Sequence, residues 1–394
     1  MEFIWDHLFI TIIVVFTLAF GFYYFWEVVE TPVLRFSESD FLLRVIERSP
    51  NLTNKYHPTF WCFNQHLMLL LLMFREYRTK PYKYDQLEQL KMKDGGITGL
   101  AWSGIHAKAT KEETPIVVLF HTISGDEQDV KSTVKYLRER YGWMVVVCIR
   151  RGHGNLPLTK PKINTMGSTS DLKEQLAYIQ KKYPKKQLFG VGISAGSGLL
   201  ARYLGEAGTK SQFSAAVAVS PAYDIEKAFH RVHPVYSKIM GQRLISYFLK
   251  THYESLSKLK GIEELLKIKT IGEFQDKLHT VSGYKDKENY YFYSNPVLVA
   301  KNIRTPLLVL NSADDPICVN QNVLENLHWL ETLPNTIHVH TKRGSHIAYF
   351  QGWKAKSWSD SIIGEYFAAV LKEDSPKQKP SKKTKSKLKK VKLR

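Results

Sequence analysis

A serine held between two glycines, on the turn from an apolar strand into a Leu/Ala-rich helix, constrains this chain more than any other stretch. Gln187 to Tyr203 reads Gln-Leu-Phe-Gly-Val-Gly-Ile-Ser-Ala-Gly-Ser-Gly-Leu-Leu-Ala-Arg-Tyr. The strand ends at Gly192-Ile193-Ser194-Ala195-Gly196, which is Gly-x-Ser-x-Gly in the strand-to-helix context its chemistry needs. So tight a turn forces Ser194 into a strained conformation. The flanking glycines make room for crowded backbones, and the hydroxyl projects above the sheet. The helix that follows aims its N-terminal N–H groups and positive dipole end at the space where an oxyanion would form. The five-residue motif recurs by chance in long chains, so its neighbours must be read with it.

Those neighbours form a regular series. Tyr84 to Met92 and Ile97 to Trp102 flank Asp94-Gly95, a turn dipeptide, and read as an antiparallel pair. Beyond Pro115 come near-continuous apolar runs: Ile116 to Phe120, Met144 to Ile149, Leu188 to Val191, Ala215 to Val219 and Pro306 to Leu310. Helical stretches such as Asp171 to Lys182 separate them, so the fold class is α/β, a mostly parallel sheet with helices on both faces. A further strand, Ile337 to His340, and a closing helix, Ile362 to Leu371, complete the series. Polar groups follow several strand ends: His121-Thr122-Ile123-Ser124-Gly125, Asn311-Ser312-Ala313-Asp314-Asp315-Pro316 and Gly344-Ser345-His346. A serine nucleophile needs a neutral imidazole to take its proton, and that imidazole needs a carboxylate to fix its tautomer. Ser194, Asp315 and His346 supply these in the order nucleophile, acid, base, each just past a strand. Backbone N–H groups of Ala195 and Ile123 are the expected oxyanion donors.

On these motifs, together with Gly344-Ser345-His346-Ile347-Ala348-Tyr349-Phe350-Gln351-Gly352, the chain resembles the membrane-anchored α/β-hydrolase-domain proteins. These include phospholipases and monoacylglycerol lipases, with relatives in plants and bacteria. The resemblance runs from about Phe41 to Phe367. It implies an α/β-hydrolase fold, a serine nucleophile with an Asp–His pair, no metal or other cofactor, and lipid or other acyl esters as substrates. It also places Asp315, which precedes Pro316, rather than Asp314 in the role of the acid. The chain departs from the family where His-Gly is replaced by His121-Thr122 and Gly-Gly-His by Gly344-Ser345-His346. The family's Gly-His-Ile-Gln-Thr survives only as Asn64-Gln65-His66-Leu67-Met68.

The two ends add a setting. Leu8 to Trp26 carries no charged residue and is long enough to cross a bilayer. Its flank holds Glu2 and Asp6 instead of basic residues and no small-residue cleavage site follows, so a retained anchor is expected over residues 1–30. Formal charge is +19, but ten of those charges lie between Lys377 and Arg394, leaving about +9 for the rest. That distribution gives no reason to expect a nucleic-acid partner. The basic tail, 372–394, reads as disordered and suited to anionic lipid. Its Lys390-Val391-Lys392-Leu393-Arg394 ending matches a Lys-x-Lys-x-x retrieval signal, consistent with a single-pass protein of the endoplasmic reticulum or another endomembrane. Cys62, Cys148 and Cys318 form neither a metal-ligand pattern nor a disulfide framework.

Residues 31–83 read as a linker and membrane-proximal segment. Its Leu67-to-Phe74 run is too short to span and fits a packed or interfacial piece. Asn51-Leu52-Thr53 is a sequon, usable only on a lumenal face. The catalytic domain is expected over 84–371, with an aromatic helical lid at 222–300 that could line an acyl chain or simply pack its own core. His230 and His233 lack an evident third metal ligand, and His121 with Asp126 matches the His-x4-Asp spacing of some acyltransferases. The expected function is a membrane-anchored serine hydrolase acting on lipid esters. A catalytically weak scaffold binding a lipid or hormone-like ligand, and an acyltransferase, are the alternatives.

Overall fold

The computed structural model describes residues 2–106 and 114–374; the basic tail from Lys377 and its Lys-x-Lys-x-x ending lie outside the described residues. Nine strands form one sheet: β1 (Val33–Phe36), β2 (Gln86–Lys91), β3 (Ile97–Ser103), β4 (Ile116–Phe120), β5 (Met144–Ile149), β6 (Leu188–Ile193), β7 (Phe213–Val219), β8 (Leu307–Ser312) and β9 (Thr336–Thr341). Their order is β1-β9-β8-β7-β6-β4-β5-β3-β2, with β4 to β9 parallel and the three outer strands antiparallel. Residues of β4 alternate between two cores, as a strand's period of two requires. Val117 and Leu119 pack toward α4 (Lys131–Tyr141) and α11 (Trp358–Asp374). Ile116, Val118 and Phe120 pack toward α5 (Thr169–Lys182), α6 (Ala195–Ala207) and α10 (Asn320–Leu330). Covered on both sides, the strands stay apolar throughout, which is why they could be read directly.

The stretch expected as a linker is instead part of the domain. β1 pairs with β9, with Val33 opposite His340 and Phe36 opposite Ile337. Leu42, Val45 and Ile46 of α2 (Asp40–Glu47), with Leu52 and Tyr56, enter the same core as the central strands. A four-residue edge strand is too short to display its period. The capped helix with its i, i+3, i+4 stripe was the available signal. Asn51 is held as well, its backbone and side-chain amides donating to Glu365 at 3.0 and 2.6 Å, so the sequon asparagine is built into a packed contact.

At the N-terminus, α1 (Glu2–Tyr23) runs on into a π-helical turn, Tyr24–Val28. Trp5–Val28 is long and apolar enough to cross a membrane, with mean hydropathy 2.3, and Phe9, Phe16 and Leu18 on it are exposed. The chain is then gripped at once. Val28 is fully buried, the Tyr24 hydroxyl donates to the Pro58 carbonyl, and the Phe63 ring meets those of Phe20, Tyr23 and Tyr24. Asn64 caps α3 (Gln65–Arg78), which buries Met68 and Leu69 and leaves Leu67, Leu70, Phe74 and Tyr77 exposed. The short apolar run is thus packed on one side and bare on the other.

Between β7 and β8 the sheet rhythm gives way to short helices, among them α7 (Pro234–Leu244), α8 (Ile271–Lys277) and α9 (Lys287–Ser294). Phe229, Phe248, Phe274, Tyr290 and Tyr291 form this insertion's own core, together with Leu158, Ile163 and Met166 from the β5–α5 connection. Phe292 and Tyr293 are exposed.

Candidate active site

Ser194 sits between β6 and α6 with φ +54° and ψ −118°, a conformation that a non-glycine residue holds only when its surroundings impose it. The packing shows why its glycine neighbours are needed. A Cβ on Gly196 would run into the Phe120 and His121 carbonyls, and one on Gly192 into the backbone of Gly196 and Ser197. α6 therefore approaches the end of β4 more closely than any side chain permits.

The three sequence candidates meet at the carboxyl edge of the parallel strands, where such sheets place ligands. Ser194 Oγ lies 2.7 Å from His346 Nε2, and His346 Nδ1 lies 2.8 Å from Asp315 Oδ2. His346 and Asp315 are both buried. The other oxygen of Asp315 accepts the Ile317 and Cys318 backbone N–H groups at 2.7 and 2.8 Å, which fixes the carboxylate plane. Asp314 turns the other way, and its Oδ1 accepts the Ser345 N–H at 2.8 Å. Burial, offset in part by that bond, pushes the Asp314 carboxyl up to about 6. Ser345 has φ +51°, which accounts for the family's glycine here; the serine is held by donating its hydroxyl to the Gln65 carbonyl at 2.8 Å. That bond joins α3 to the loop carrying His346, a link with no sequence signal.

Ile123 and Ala195 line one narrow cavity of about 20 Å³, shared with Arg150, Ile163, Met166, Phe248, Phe274 and Tyr290 among others. Part of the insertion's aromatic set is therefore core and cavity wall at once. The Ala195 N–H lies in the first turn of α6, where helix donors have no acceptor within the helix. The Ile123 loop is fixed from below by His121. This ring is fully buried, with Nδ1 3.0 Å from the Thr122 carbonyl and Nε2 accepting the Arg150 N–H at 3.3 Å. Burial and the neighbouring Arg150 charge hold it well below the usual histidine range, so it is neutral. Asp126 accepts the Gln128 N–H, and with both His121 nitrogens on backbone groups the His-x4-Asp spacing assembles no base.

Donor atoms of Asp315, Cys318 and His346 fall within 4.8 Å of one another. Asp315 and His346 already spend their facing atoms on each other, and burial holds the Cys318 thiol well above its ordinary range, in its non-ligating form. His230 is exposed and pairs with Asp276 at 3.2 Å, while His233 faces His66 with ring centroids 5.7 Å apart.

Comparison with known proteins agrees with this architecture. A human protein named phospholipase ABHD3 is 26% identical over 378 residues, covering 92% of this chain and 90% of that one. A Saccharomyces cerevisiae protein named monoacylglycerol lipase is 23% identical over 258 residues, covering 62% of this chain and 57% of its own. The solved hyperthermophilic esterase of Pyrobaculum calidifontis superimposes with a TM-score of 0.50 at 13% identity, over 79% of this chain and 90% of that one, a likeness of fold. The family model Hydrolase_4, described as serine aminopeptidase S33, matches residues 111–341, and with an elbow serine on a parallel sheet the chain belongs to that family of α/β-hydrolases.

Proposed function

We propose that this protein is a membrane-anchored serine hydrolase that cleaves carboxylic esters of lipids through an acyl-enzyme on Ser194. The observation that carries this reading is the continuous hydrogen-bonded line from Ser194 through His346 to Asp315, beginning at a strained elbow residue. Ser194 Oγ attacks the ester carbonyl as His346 Nε2 takes its proton. Asp315 holds Nδ1–H and stabilises the imidazolium. The N–H groups of Ala195 and Ile123 receive the oxyanion, an interaction stronger in the transition state than in the bound ester. His346 then protonates the departing alcohol, and water, activated by the same imidazole, resolves the acyl-enzyme. Lipid esters are favoured because the apolar helix α1 leads directly into the domain and because lipid-active relatives are similar over most of the chain. Residues 222–300 serve as the lid. We place the protein in an endomembrane as a single-pass protein, with its basic tail against anionic lipid.

A fluorophosphonate probe tests the reading on wild-type protein, because only an activated serine reacts. The expected result is one labelled peptide, with the adduct on Ser194. Folded protein that takes no label would support the ligand-binding scaffold instead.

Truncation tests the anchor. Removing residues 1–23 is expected to release a folded protein from carbonate-washed membranes. Removing 1–30 also deletes buried Val28 and the Glu30–Tyr56 bridge, in which Tyr56 N–H donates to the Glu30 carbonyl. The longer truncation is therefore expected to melt several degrees lower, as loss of ~1–3 kcal/mol from a domain of this size would produce. Salt-insensitive retention of both truncations would point to the bare face of α3 and contradict a single anchor.

A further inference from the structure

Apolar side chains stand bare on one flank of the domain, beside the exit of α1. On α3, Leu67, Leu70, Phe74 and Tyr77 recur at intervals of three and four, so they share one stripe, and each is at least half exposed. Met68 and Leu69 are buried, so the helix has one packed face and one apolar face that no described residue covers. Next to α3 a second exposed group is held rigidly. The Phe60 and Trp353 rings stack with centroids 5.1 Å apart, Trp61 Nε1 donates to the Trp353 carbonyl at 3.0 Å, and Arg75 of α3 donates to the Lys354 and Ala355 carbonyls. Trp353 is nonetheless 71% exposed. The patch continues onto the insertion. The Tyr236 ring of α7 stacks on His66 with its hydroxyl 2.8 Å from Nδ1, and Val235 and Ile239, four apart on α7, are exposed.

A contiguous exposed apolar patch, ordered by hydrogen bonds to backbone, marks a surface that meets something apolar. Its setting says what. Phe63, two residues before α3, packs its ring on Phe20, Tyr23 and Tyr24 at the end of the apolar span, so the bare stripe begins where α1 leaves the bilayer. Its composition fits the headgroup–acyl boundary, where tryptophan and tyrosine rings are favoured. Its rim is basic: the Arg78 guanidinium lies 4.9 Å from the Phe74 ring centre, and Arg75 holds the carbonyl of Lys354, next to Trp353. From such positions cations reach lipid phosphates while their stems cover apolar surface. We propose that the bare stripe of α3, with Trp61 and Trp353, is embedded at the headgroup boundary of the leaflet from which α1 emerges, as a second and shallow lipid contact. Like other interfacial helices, α3 lies in the plane of the surface and holds reversibly, so loss of α1 still releases the protein. The contact sets orientation. Ser345, next to His346, donates its hydroxyl to the Gln65 carbonyl at the start of α3, so seating this helix brings the edge that carries Ser194 to headgroup level. The inference rests on α1 being the anchor and is independent of the chemistry proposed for Ser194.

The test uses the full chain in phosphatidylcholine vesicles, with a bimane probe on one introduced cysteine at a time. Native Cys62, Cys148 and Cys318 are buried, which keeps background labelling low. Leu70→Cys and Trp353→Cys report the patch, and Phe16→Cys reports the span. Leu87→Cys, exposed on β2 at the opposite edge of the sheet from β1, is the control. Probes at 70 and 353 are expected to be quenched severalfold more than the control by lipid bearing a nitroxide near the glycerol end of its chain. Aqueous iodide is expected to quench them severalfold less. The probe at 16 is expected to respond best to a nitroxide at the chain end. Adding Leu67→Glu with Phe74→Glu, both at exposed positions, is expected to return the probe at 353 to the control's iodide quenching at an unchanged melting temperature. Control-level quenching at 70 and 353 would overturn the contact, and so would shielding at 353 that survives the two substitutions. Shielding from iodide without quenching by lipid would also overturn it, because a second copy or another protein then covers the patch. Absence of lipid quenching at 16 would overturn the anchor on which the inference rests; quenching at 16 with none at 70 and 353 sinks the second contact alone.

Discussion

Ser194→Ala should lose five to six orders of magnitude in ester turnover and all fluorophosphonate labelling, while melting within a few degrees of wild type. The size follows from groups that act as a unit: with the attacking oxygen gone, His346 and Asp315 have nothing to activate, and losses of about 10⁶ are known for such sites. The fold should survive because the elbow is imposed from outside Ser194. Its N–H donates to the Val219 carbonyl at 2.9 Å and its carbonyl accepts the Ser197 N–H at 2.9 Å, both through backbone. Ser197 is the nearest rival hydroxyl. It is buried and turned back onto the Ser194 carbonyl, away from His346. Label found on Ser197 in the mutant would remove Ser194 from the proposal.

Asp315→Asn should cost about 10³ to 10⁴ in kcat, because an amide at this position favours the wrong imidazole tautomer while leaving the shape intact. Asp314→Asn should cost less than about tenfold, since an amide oxygen can still accept the Ser345 N–H. The two variants should differ in pH dependence as well. The Asp314 carboxyl is raised in the folded protein to about 6, chiefly by burial. The folded state therefore holds that proton more tightly than the unfolded state does, and its contribution to stability is present at low pH and lost as pH rises through about 4 to 6. Asp314→Asn removes that loss, so it should be more stable than wild type at pH 8 by roughly 1–3 kcal/mol and show no such advantage at pH 4. Urea unfolding at the two pH values reads this directly. Equal catalytic losses in the two variants would show that the wrong carboxylate had been assigned.

The central strands were legible because a sheet covered on both faces writes itself as unbroken apolar runs. Ile116–Phe120 and Met144–Ile149 fall where the runs do. Ser194, Asp315 and His346 were legible because parallel strands bring their ends to one edge, so order along the chain already implied proximity. What escaped reading depended on contacts distant in sequence. β1 has four residues and gains its meaning only from β9, some three hundred residues later. Arg150 and Arg151 look alike in the chain, and only the fold gives Asp171 to Arg151 and leaves Arg150 without a carboxylate partner among the described residues. The insertion's aromatic residues could not be divided from composition into core, wall and surface, because short irregular helices carry no period long enough to assign a face.

Between the end of the apolar span at Val28 and the start of β1 at Val33 there are four residues, about 14 Å of chain at full stretch. Even this piece is taken up, with Glu30 bridged to Tyr56 and its carboxylate accepting the Lys342 N–H in the loop that leads to His346. With α1 in a bilayer, such an attachment has no slack. On the proposed reading, the edge that carries Ser194 could then neither swing out into solution nor reach across to another membrane, so the protein would sample only the lipids that drift past its own footprint. Its working concentration is then a mole fraction in the plane, not a molarity. Turnover should follow how thickly substrate is sown in the surface and how fast it diffuses sideways, and diluting the leaflet with inert lipid should starve the enzyme even when total substrate is unchanged.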